Sequence, residues 1–395
     1  AKFSFMEECN KIEIQHICSN ICSGGTPKST IAEYYGGNIP WLNTKEINFN
    51  RIYKTEKTIT DEGFNNSSAK WIPSNSVIVA MYGATAGKTA ITQIPLTTNQ
   101  ACCNLTIDST KADYRFVYYA LCNNYSYLAS LANGGAQQNL NAKQIKEFEI
   151  PFPSLREQKR IADILFSLDD KIELNRRIND NLEQQAQALF NYYFIDNRNK
   201  LGDYTESNLT QIATYLNGLA MQKYRPSYGE IGIPVLKIKE LGQGFCDISS
   251  DLCSPSIRSE YIVNDGDIIF SWSGTLMIDT WCGGTCGLNQ HLFKVNSELY
   301  PQWFIYFWTN HHLDKFIRVA KDKAVTMGHI KRSELVSSEV IIPNKTTLEN
   351  LDKIFKPIFE ESTSKKIENR KLEEVRNTLL SKLMSGELKI NDLHS

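Results

Sequence analysis

The chain has 395 residues, of which 42% are hydrophobic and 22% are charged, and its formal net charge is −1 at pH 7. This composition is ordinary for a folded protein of two or three domains, and it excludes disordered, collagen-like and purely coiled-coil chains. No apolar run reaches the roughly 18 residues of a membrane span, and the polar N-terminus lacks the apolar core of a signal peptide, so we expect a cytoplasmic protein without membrane contact. The near-neutral charge argues against a stand-alone, non-specific DNA binder. It permits a DNA reader that uses local basic loops or partner subunits for phosphate contacts.

The first predicted element is a globular domain over residues 1–153. Its short β-branched runs, such as 77–79, are separated by Gly, Asn and Pro, which is typical of a mixed or mostly antiparallel sheet. A helical stretch rich in aromatic residues is predicted over 114–131. Trp41 and Trp71 are expected to lie in the core of this domain.

The second predicted element is a spacer helix over 154–195. No Pro or Gly interrupts it, and the pattern Ser154-x-x-Glu157 indicates a capping box at its start. Two asparagines in its apolar seam, Asn175 and Asn179, favour a fixed register with a partner helix, although two surface asparagines on a loosely packed helix are the alternative. The seam recurs at alternating four- and three-residue steps and comprises Ile161, Leu165, Leu168, Ile172, Asn175, Asn179, Leu182, Ala186, Leu189 and Tyr193.

The third and fourth predicted elements repeat the first two, as a domain over 203–343 and a helix over 346–386. Five stretches recur in the same order at offsets between 187 (302 − 115) and 194 (233 − 39). Such self-similarity indicates a tandem duplication with a period of about 190 residues. The matched stretches are 39–47 with 233–241, 77–83 with 268–274, 99–100 with 289–290, 115–119 with 302–306, and 148–151 with 340–343.

The second helix has a weaker pattern than the first. Its start is predicted at Thr346-x-x-Glu349 and its end at Gly386, and Pro357 is expected to kink it or restart it. Its seam is predicted to continue through Ile354, Ile358, Leu372, Val375 and Leu379.

These elements together predict an α+β fold. It is a tandem duplication of a mixed globular domain followed by a long helix, and the two helices pair as an antiparallel coiled coil with pseudo-two-fold symmetry. A particle of this kind is a spacer with a reading head at each end. It suits DNA, on which half-sites on one face of the duplex recur about every 34 Å.

Several short stretches carry a resemblance to a known family, and their order matches the family's order over essentially the whole chain. The chain resembles the specificity subunits of type I restriction-modification systems. The supporting stretches are 24–27 (Gly-Gly-Thr-Pro), 37–41 (Gly-Asn-Ile-Pro-Trp), 98–100 (Thr-Asn-Gln), 135–140 (Gly-Ala-Gln-Gln-Asn-Leu), 150–162 and 379–387.

The resemblance implies that each globular domain is a target recognition domain that reads one half of a bipartite sequence on double-stranded DNA. It also implies that the paired helices set the gap, dock methyltransferase subunits, two per chain, and through them hold the restriction and translocase subunits. The chain departs from the family pattern in its second repeat, at 217–220 and 325–329. The two heads are therefore expected to read different half-sites, which makes the target asymmetric.

Catalytic and metal-binding patterns are weak in this chain, so we predict no enzyme activity, no metal and no cofactor. The segment 83–89 resembles a phosphate loop but has one residue too few before its Gly-Lys-Thr, and Tyr82 occupies the required position. The cysteine pairs Cys18/Cys22 and Cys282/Cys286 lack the further ligands of a zinc site, which favours reduced thiols used as small apolar residues.

Candidate DNA-contacting residues are the Lys, Arg, Asn, Gln, Thr, Ser, Tyr and His side chains of loops, because these types read base edges or bind phosphates. In the first domain they are Thr26, Lys28, Thr44, Lys45, Tyr82, Thr85, Lys88, Gln137, Gln138 and Asn139. In the second they are Lys223, Tyr224, Arg225, Lys237, Lys239, Ser273, Lys321, Lys323, His329 and Lys331. Residues predicted to form the spacer or dock partners are Leu165, Leu168, Ile172, Asn175, Asn179, Leu182, Leu372, Val375 and Leu379.

Three other functions fit parts of the sequence. A specificity chain of a modification enzyme outside type I would have the same architecture but different partner subunits. A duplicated protein-interaction scaffold would explain the near-neutral charge without any DNA. A nucleotide-dependent enzyme would need the imperfect phosphate loop to bind ATP.

Overall fold

The computed structural model describes residues 10–132, 139–322 and 330–389. The chain divides into two compact units, Ala1–Asp170 with Glu374–Ser395, and Lys171–Glu373. Each unit combines one globular head with parts of both long helices. The boundaries of the units therefore differ from those of the predicted domains and spacer helices. In the described ranges, no helix is both long enough and apolar enough to span a bilayer.

The first unit is built on mostly antiparallel sheets. A five-stranded sheet has the order β2-β9-β6-β7-β4, a three-stranded sheet has the order β5-β3-β8, and β1 pairs with β10. Among the strands that the structure describes in this unit, the pairs β3–β8 and β4–β7 are the parallel ones. The strands are β1 (Lys11–Glu13), β2 (Cys18–Ser23), β3 (Tyr35–Leu42), β4 (Asn50–Ile52), β5 (Lys57–Ile59), β6 (Val77–Ala80), β7 (Thr89–Thr92), β8 (Thr97–Thr98), β9 (Cys102–Ile107) and β10 (Glu149–Pro151).

Most helices of the first unit share a core with its larger sheet, whereas the first of them packs against strand β3 of the smaller sheet. The helices of the unit are α1 (Asp61–Asn65), α2 (Tyr114–Asn123), α3 (Tyr125–Leu131), α4 (Ala142–Lys146) and the first part of the long helix α5 (Leu155–Phe190). The aromatic stretch predicted over 114–131 is the pair α2 and α3. Trp41 lies in the core with 4% of its surface exposed, as expected, but Trp71 is 47% exposed. The prediction for Trp71 was wrong, because its ring lies at the surface beside that of Phe64, with the ring centroids 6.1 Å apart.

The second unit repeats this arrangement. It has two four-stranded sheets, ordered β12-β19-β16-β17 and β14-β13-β18-β15, and a pair of β11 with β20. The strands are β11 (Tyr204–Asn208), β12 (Thr214–Asn217), β13 (Ile233–Leu236), β14 (Leu252–Cys253), β15 (Ile262–Val263), β16 (Ile268–Ser271), β17 (Met277–Thr280), β18 (Cys286–Leu288), β19 (Leu292–Asn296) and β20 (Glu339–Pro343). Its helices are α6 (Leu209–Ile212), α7 (Ile238–Gln243), α8 (Gln302–His311), α9 (Leu313–Asp322), α10 (Arg332–Val336) and most of the long helix α11 (Lys345–Met384).

The tandem duplication is confirmed by strand order and by register. The central strands of the first unit, β2-β9-β6-β7, correspond to β12-β19-β16-β17 of the second. The pair Val77 with Leu105 in the first unit corresponds to Ile268 with Val295 in the second. The α+β fold predicted from the sequence is therefore the fold observed.

The two long helices pair in an antiparallel sense within each unit. In the second unit Asn175 of α5 contacts Asn369 of α11, and further along α5 Glu183 contacts the earlier residue Lys366. In the first unit Asp169 of α5 forms a 2.7 Å ion pair with Arg376 of α11. The buried seam of α5 comprises Ile161, Leu165, Ile172, Asn175, Asn179, Ala186 and Phe190.

Three details of α11 differ from the sequence-based predictions. The helix starts at Lys345, because the Asn344 side chain accepts a hydrogen bond from the Thr347 N–H, so Thr346 is not the cap. It does not restart at Pro357, and we attribute this to the burial of Leu351 and Phe355 in the core, which offsets the roughly 3 kcal/mol that an internal proline costs.

The third difference concerns the seam of α11. Ile354 and Val375 were predicted to lie in it but are 40% and 48% exposed. Phe355 and Asn369 take buried positions instead. The prediction failed because Glu, Lys and Asn interrupt the apolar pattern in the middle of this helix, so its phase could not be followed from the sequence.

A buried polar layer lies between the helices in the second unit. The Asn175 side-chain amide donates to Glu368 Oε2 (3.0 Å) and Asn369 Oδ1 (2.9 Å), and Asn369 Nδ2 donates to the Ile172 carbonyl at 3.1 Å. The asparagine predicted to fix the register therefore pairs with an asparagine of the other long helix.

Substitution of this pair should show strong energetic coupling. Asn175→Leu and Asn369→Leu should each lower the free energy of unfolding by about 1–3 kcal/mol, because each leaves a buried amide without its partner. The double variant should lose less than the sum of the two. Asn179→Leu is the matched control, since Asn179 Oδ1 is buried without a hydrogen-bond partner among the described residues, and it should be neutral or stabilising. Urea unfolding of the four variants gives the coupling energy, and additive losses would contradict the register role.

Candidate nucleic-acid interface

Four strands of the first unit end at one edge of its two sheets. β3 and β8 are parallel, with Leu42 opposite Thr98, so their carboxyl ends lie together. Three residues separate β8 from β9, so β9 starts at the same edge. Because β2 and β6 are both antiparallel to β9, they also end at this edge. We call this the first edge and define it as the loops 24–31, 43–49, 81–88 and 99–101.

Main-chain hydrogen bonds join these loops to one another. The Gly25 N–H donates to the Thr98 carbonyl at 2.8 Å, and the Asn99 N–H donates to the Leu42 carbonyl at 3.0 Å. The Leu140 N–H donates to the Met81 carbonyl at 2.7 Å. Backbone contacts therefore fix the positions of these loops relative to one another.

Most candidate residues of the first domain lie on or beside the first edge. Thr26 donates a hydrogen bond to Gln100, Lys45 forms a 2.5 Å ion pair with Glu56, and Tyr82 is 44% exposed and pairs in a β-bridge with Asn139. Lys28, Thr44, Thr85 and Lys88 belong to the same loops. Gln137 and Gln138 lie outside the described residues.

Lys88 is held by a neighbour that the sequence did not reveal. Its ammonium group donates to Asn48 Oδ1 at 2.8 Å and lies 5.9 Å from the ring of Phe49. Phe49 has φ +54°, a left-handed conformation that is strained for a bulky residue, and its ring packs on Tyr125. The packing of Phe49 on Tyr125 thus anchors the loop that carries Asn48, the hydrogen-bond partner of Lys88.

The same edge is built a second time in the second unit, which we call the second edge. The Leu219 N–H donates to the Leu288 carbonyl (2.9 Å), the Asn289 N–H to Leu236 (3.2 Å), and the Ile330 N–H to Trp272 (3.1 Å). These bonds correspond to those of Gly25, Asn99 and Leu140 in the first unit. Gly24 and Gly218 are equivalent as well, because a Cβ on either would lie 2.1–2.2 Å from a backbone carbonyl oxygen.

Some candidates of the second domain are engaged by other protein groups. Lys237 pairs with Asp251, and Lys239 lies 3.1 Å from Asp247. Hydrogen bonds from Ser249 and Lys239 lower the pKa of the Asp247 carboxyl, and the hydrogen bond from Lys237 lowers that of Asp251. Both carboxylates stay ionised at neutral pH, so they reduce the positive potential that these lysines offer to phosphates.

Three further candidates of the second domain are poorly placed for DNA. Ser273 is 5% exposed, and its hydroxyl lies 3.1 Å from His291 Nδ1. The Tyr224 carbonyl accepts from the Ser254 N–H, which places Tyr224 and the adjoining Arg225 at the amino end of β13 rather than at the second edge. Lys223, Lys321 and Lys331 are exposed, whereas Lys323 and His329 lie outside the described residues.

Sequence reasoning did not select three side chains of the second edge, those of Asn217, Gln290 and His291, although it placed Trp272 in a candidate loop over residues 272–275. Trp272 Nε1 donates to Asn217 Oδ1 at 3.0 Å, and the Trp272 ring lies 6.1 Å from that of His291. Gln290 Nε2 lies 3.3 Å from His291 Nε2. The available signal was positional. Asn217 ends a strand and Trp272 follows a strand whose repeat copies lead into candidate loops of the first domain, and Asn289-Gln290 repeats Asn99-Gln100.

The imperfect phosphate loop does not have the structure of a nucleotide site. A phosphate loop leads from a strand into a helix whose N-terminus binds the phosphates. Here the segment forms a short turn, Gly83–Thr85, and leads into strand β7. Within the described ranges, no group of three or more His, Cys, Asp or Glu side chains is placed to bind a metal ion.

Comparisons with known proteins agree with this architecture. A family described as the type I restriction modification DNA specificity domain matches residues 6–184. The chain is 28% identical to the specificity subunit of the type I restriction enzyme MjaIX from Methanocaldococcus jannaschii, over 94% of this chain and 92% of that protein. It is also 28% identical to the EcoR124I/EcoR124II specificity subunit of Escherichia coli, over 43% of each chain.

A solved structure shows the same fold. The crystal structure of the type I restriction-modification S subunit from M. genitalium superposes with a TM-score of 0.56 and 19% sequence identity, covering 95% of this chain and 96% of that one. The sequence match extends over nearly the whole chain, and the duplicated heads and paired helices agree with it. In sequence and in fold, the chain is therefore similar to the specificity subunits of type I restriction-modification systems.

Proposed function

We propose that this chain is the DNA sequence-specificity subunit of a type I restriction-modification complex, and that each of its two edges reads one half of an asymmetric bipartite target. One observation carries the proposal. The same edge is built twice by equivalent main-chain bonds but presents different side chains, such as Lys88 with Asn48 in the first unit and Trp272 with His291 in the second.

The long helices have the second role in this proposal. They set the gap between the half-sites and dock methyltransferase subunits, two per chain, which in turn hold the restriction and translocase subunits. The antiparallel pairing of α5 and α11 supports it, because a paired rod keeps a fixed length. Methyl transfer and cleavage belong to the partner subunits in this proposal, which assigns no cofactor to this chain.

Methylome sequencing of cells that carry the complete system tests the proposal. We expect a single asymmetric motif of two defined half-sites separated by a fixed, non-specific gap. A symmetric motif would contradict two different heads, and the absence of a motif that depends on this chain would contradict a specificity role. A gel shift of the reconstituted complex distinguishes the alternative of an interaction scaffold, which would bind its partners but not DNA.

Replacement of Lys88 tests the first edge directly. Lys88→Ala should weaken DNA binding by the assembled complex about three- to tenfold, and it should reduce the salt dependence of binding by about one phosphate contact. Lys111→Ala is the matched control, because Lys111 is exposed but contacts the His16 carbonyl at the opposite end of β2. Titrations at several salt concentrations measure both values, and equal behaviour of the two variants would remove Lys88 from the interface.

A further inference from the structure

The two edges carry a glutamine at equivalent positions. Gln100 and Gln290 are 190 residues apart, and each follows an asparagine that is 8% exposed. The Asn99 side chain accepts from the Ala101 N–H at 3.1 Å, and the Asn289 side chain accepts from the His291 N–H at 3.2 Å. A turn with the same asparagine side-chain contact therefore presents both glutamines at equivalent positions of the repeat.

The hydrogen-bond partners of the two glutamines do differ. In the first unit the Thr26 hydroxyl donates to Gln100 Oε1, so the carbonyl end of the amide is engaged. In the second unit Gln290 Nε2 faces His291 Nε2 at 3.3 Å, so the NH2 end is engaged. An amide NH2 only donates, which makes His291 Nε2 the acceptor.

A second contact fixes the histidine in this role. Because His291 Nε2 accepts, the ring proton lies on Nδ1, which faces the Ser273 hydroxyl at 3.1 Å. Ser273 is nearly buried, so it holds the imidazole from the protein side. The ring is thereby oriented as an acceptor for Gln290.

The residue that contacts the glutamine lies in a different loop in each repeat. Ala220 takes the place of Thr26 in the second unit, where no hydroxyl is available. Ala101 takes the place of His291 in the first unit, where no imidazole is available. Each head thus supplies one polar partner to its glutamine. This partner contacts the carbonyl oxygen of the amide in the first unit and the NH2 group in the second.

Given the proposed function, we propose that Gln100 and Gln290 are specificity-determining residues that read opposite hydrogen-bonding groups in the two half-sites. Gln100 presents its NH2 donors to an acceptor on a base edge, such as guanine O6 or N7 or thymine O4. Gln290 presents its carbonyl acceptor to a donor, which is adenine N6 or cytosine N4. Thr26 and His291 are positioning residues that act through the glutamines.

Glutamate variants separate the two roles, because a carboxylate accepts hydrogen bonds but does not donate them. The probe is a library of duplexes randomised over both half-sites, selected by the full chain assembled with its methyltransferase subunit and then sequenced. Gln100→Glu should reduce the base preference at one position of the first half-site about tenfold or more. Gln290→Glu should keep the preference for adenine or cytosine at its position. The enrichment ratio between bases is the readout, since the added charge weakens all sequences alike.

Thr26 provides a test that leaves both glutamines in place. Thr26→Ala should broaden the preference at the position read by Gln100, because the amide is then free to turn, and Thr26→Ser should restore it. The second half-site should not change in either variant. Thermal unfolding of each variant checks that the fold is retained.

The outcomes distinguish the inference from the function on which it rests. If the wild-type complex enriches a bipartite motif but Gln100→Glu leaves every position unchanged, or Gln290→Glu abolishes its preference, the assignment of the glutamines is wrong and the specificity role stands. If the wild-type complex enriches no motif at all, the proposed function itself is wrong.

Discussion

Insertion of one heptad into each long helix should lengthen the gap between the two half-sites by at most about three base pairs and leave both half-sites unchanged. Seven residues add about 10 Å to a helix, and base pairs are spaced by about 3.4 Å. The insertions are placed between the Asn175–Asn369 contact and the Glu183–Lys366 contact, so that both contacts are preserved. A whole heptad also returns the apolar seam to nearly the same face.

Methylome sequencing with the variant measures both the gap and the half-sites. The matched control is the same heptad placed in α5 alone, which puts the two helices out of register and should abolish recognition of any single gapped motif. A variant with matched insertions that kept its gap but altered a half-site would contradict the role of the helices as a spacer.

Phe190→Ala should lower the free energy of unfolding of the second unit by about 3–5 kcal/mol, the usual cost of deleting a fully buried phenyl ring. Phe190 is 0% exposed, and its ring lies 5.0–5.6 Å from those of Phe194, Phe307 and Trp308. These contacts fix the end of α5 to helix α8 of the second head. Loss of the ring should therefore loosen both the core of the second head and the attachment of this head to the helix.

Calorimetry and urea unfolding measure this loss. Leu174→Ala is the matched control, because Leu174 lies on the same helix but is 49% exposed, and its replacement should change stability by less than about 0.5 kcal/mol. A loss of less than 1 kcal/mol for Phe190→Ala would show that the aromatic cluster does not hold the helix and the head together.

The parts of the fold that were predictable depend on local patterns. The seam of α5 could be followed because its four- and three-residue steps continue from Ile161 to Ala186, with Asn175 and Asn179 as the polar positions among apolar ones. The duplication could be recognised because strand-ending segments such as Asn99-Gln100 are repeated as Asn289-Gln290. The exposed side of α11 could not be predicted, because Glu361, Lys365 and Glu368 break the pattern, and the tertiary contacts of Phe355 decide the phase instead.

The candidate interface was predictable only in outline. Most of the loops selected in the first domain lie next to one another, since parallel pairing of β3 with β8 places the ends of these strands at one edge. The sequence could not predict whether a side chain is free to contact DNA, because its engagement depends on residues distant in sequence. Lys237 is engaged by Asp251 and Ser273 is buried beside His291, and no local pattern around positions 237 or 273 indicates either contact.

The frame of both edges is made by N–H and carbonyl groups of the main chain, such as those of Asn99 with Leu42 and Asn289 with Leu236. Every amino acid except proline supplies these groups, so the frame does not depend on which side chains the loops carry. Substitutions in the loops can therefore change the bases that are recognised at little cost to folding. In the proposed function, single substitutions can therefore produce new specificities during evolution, and one half of the target can change while the other half stays the same.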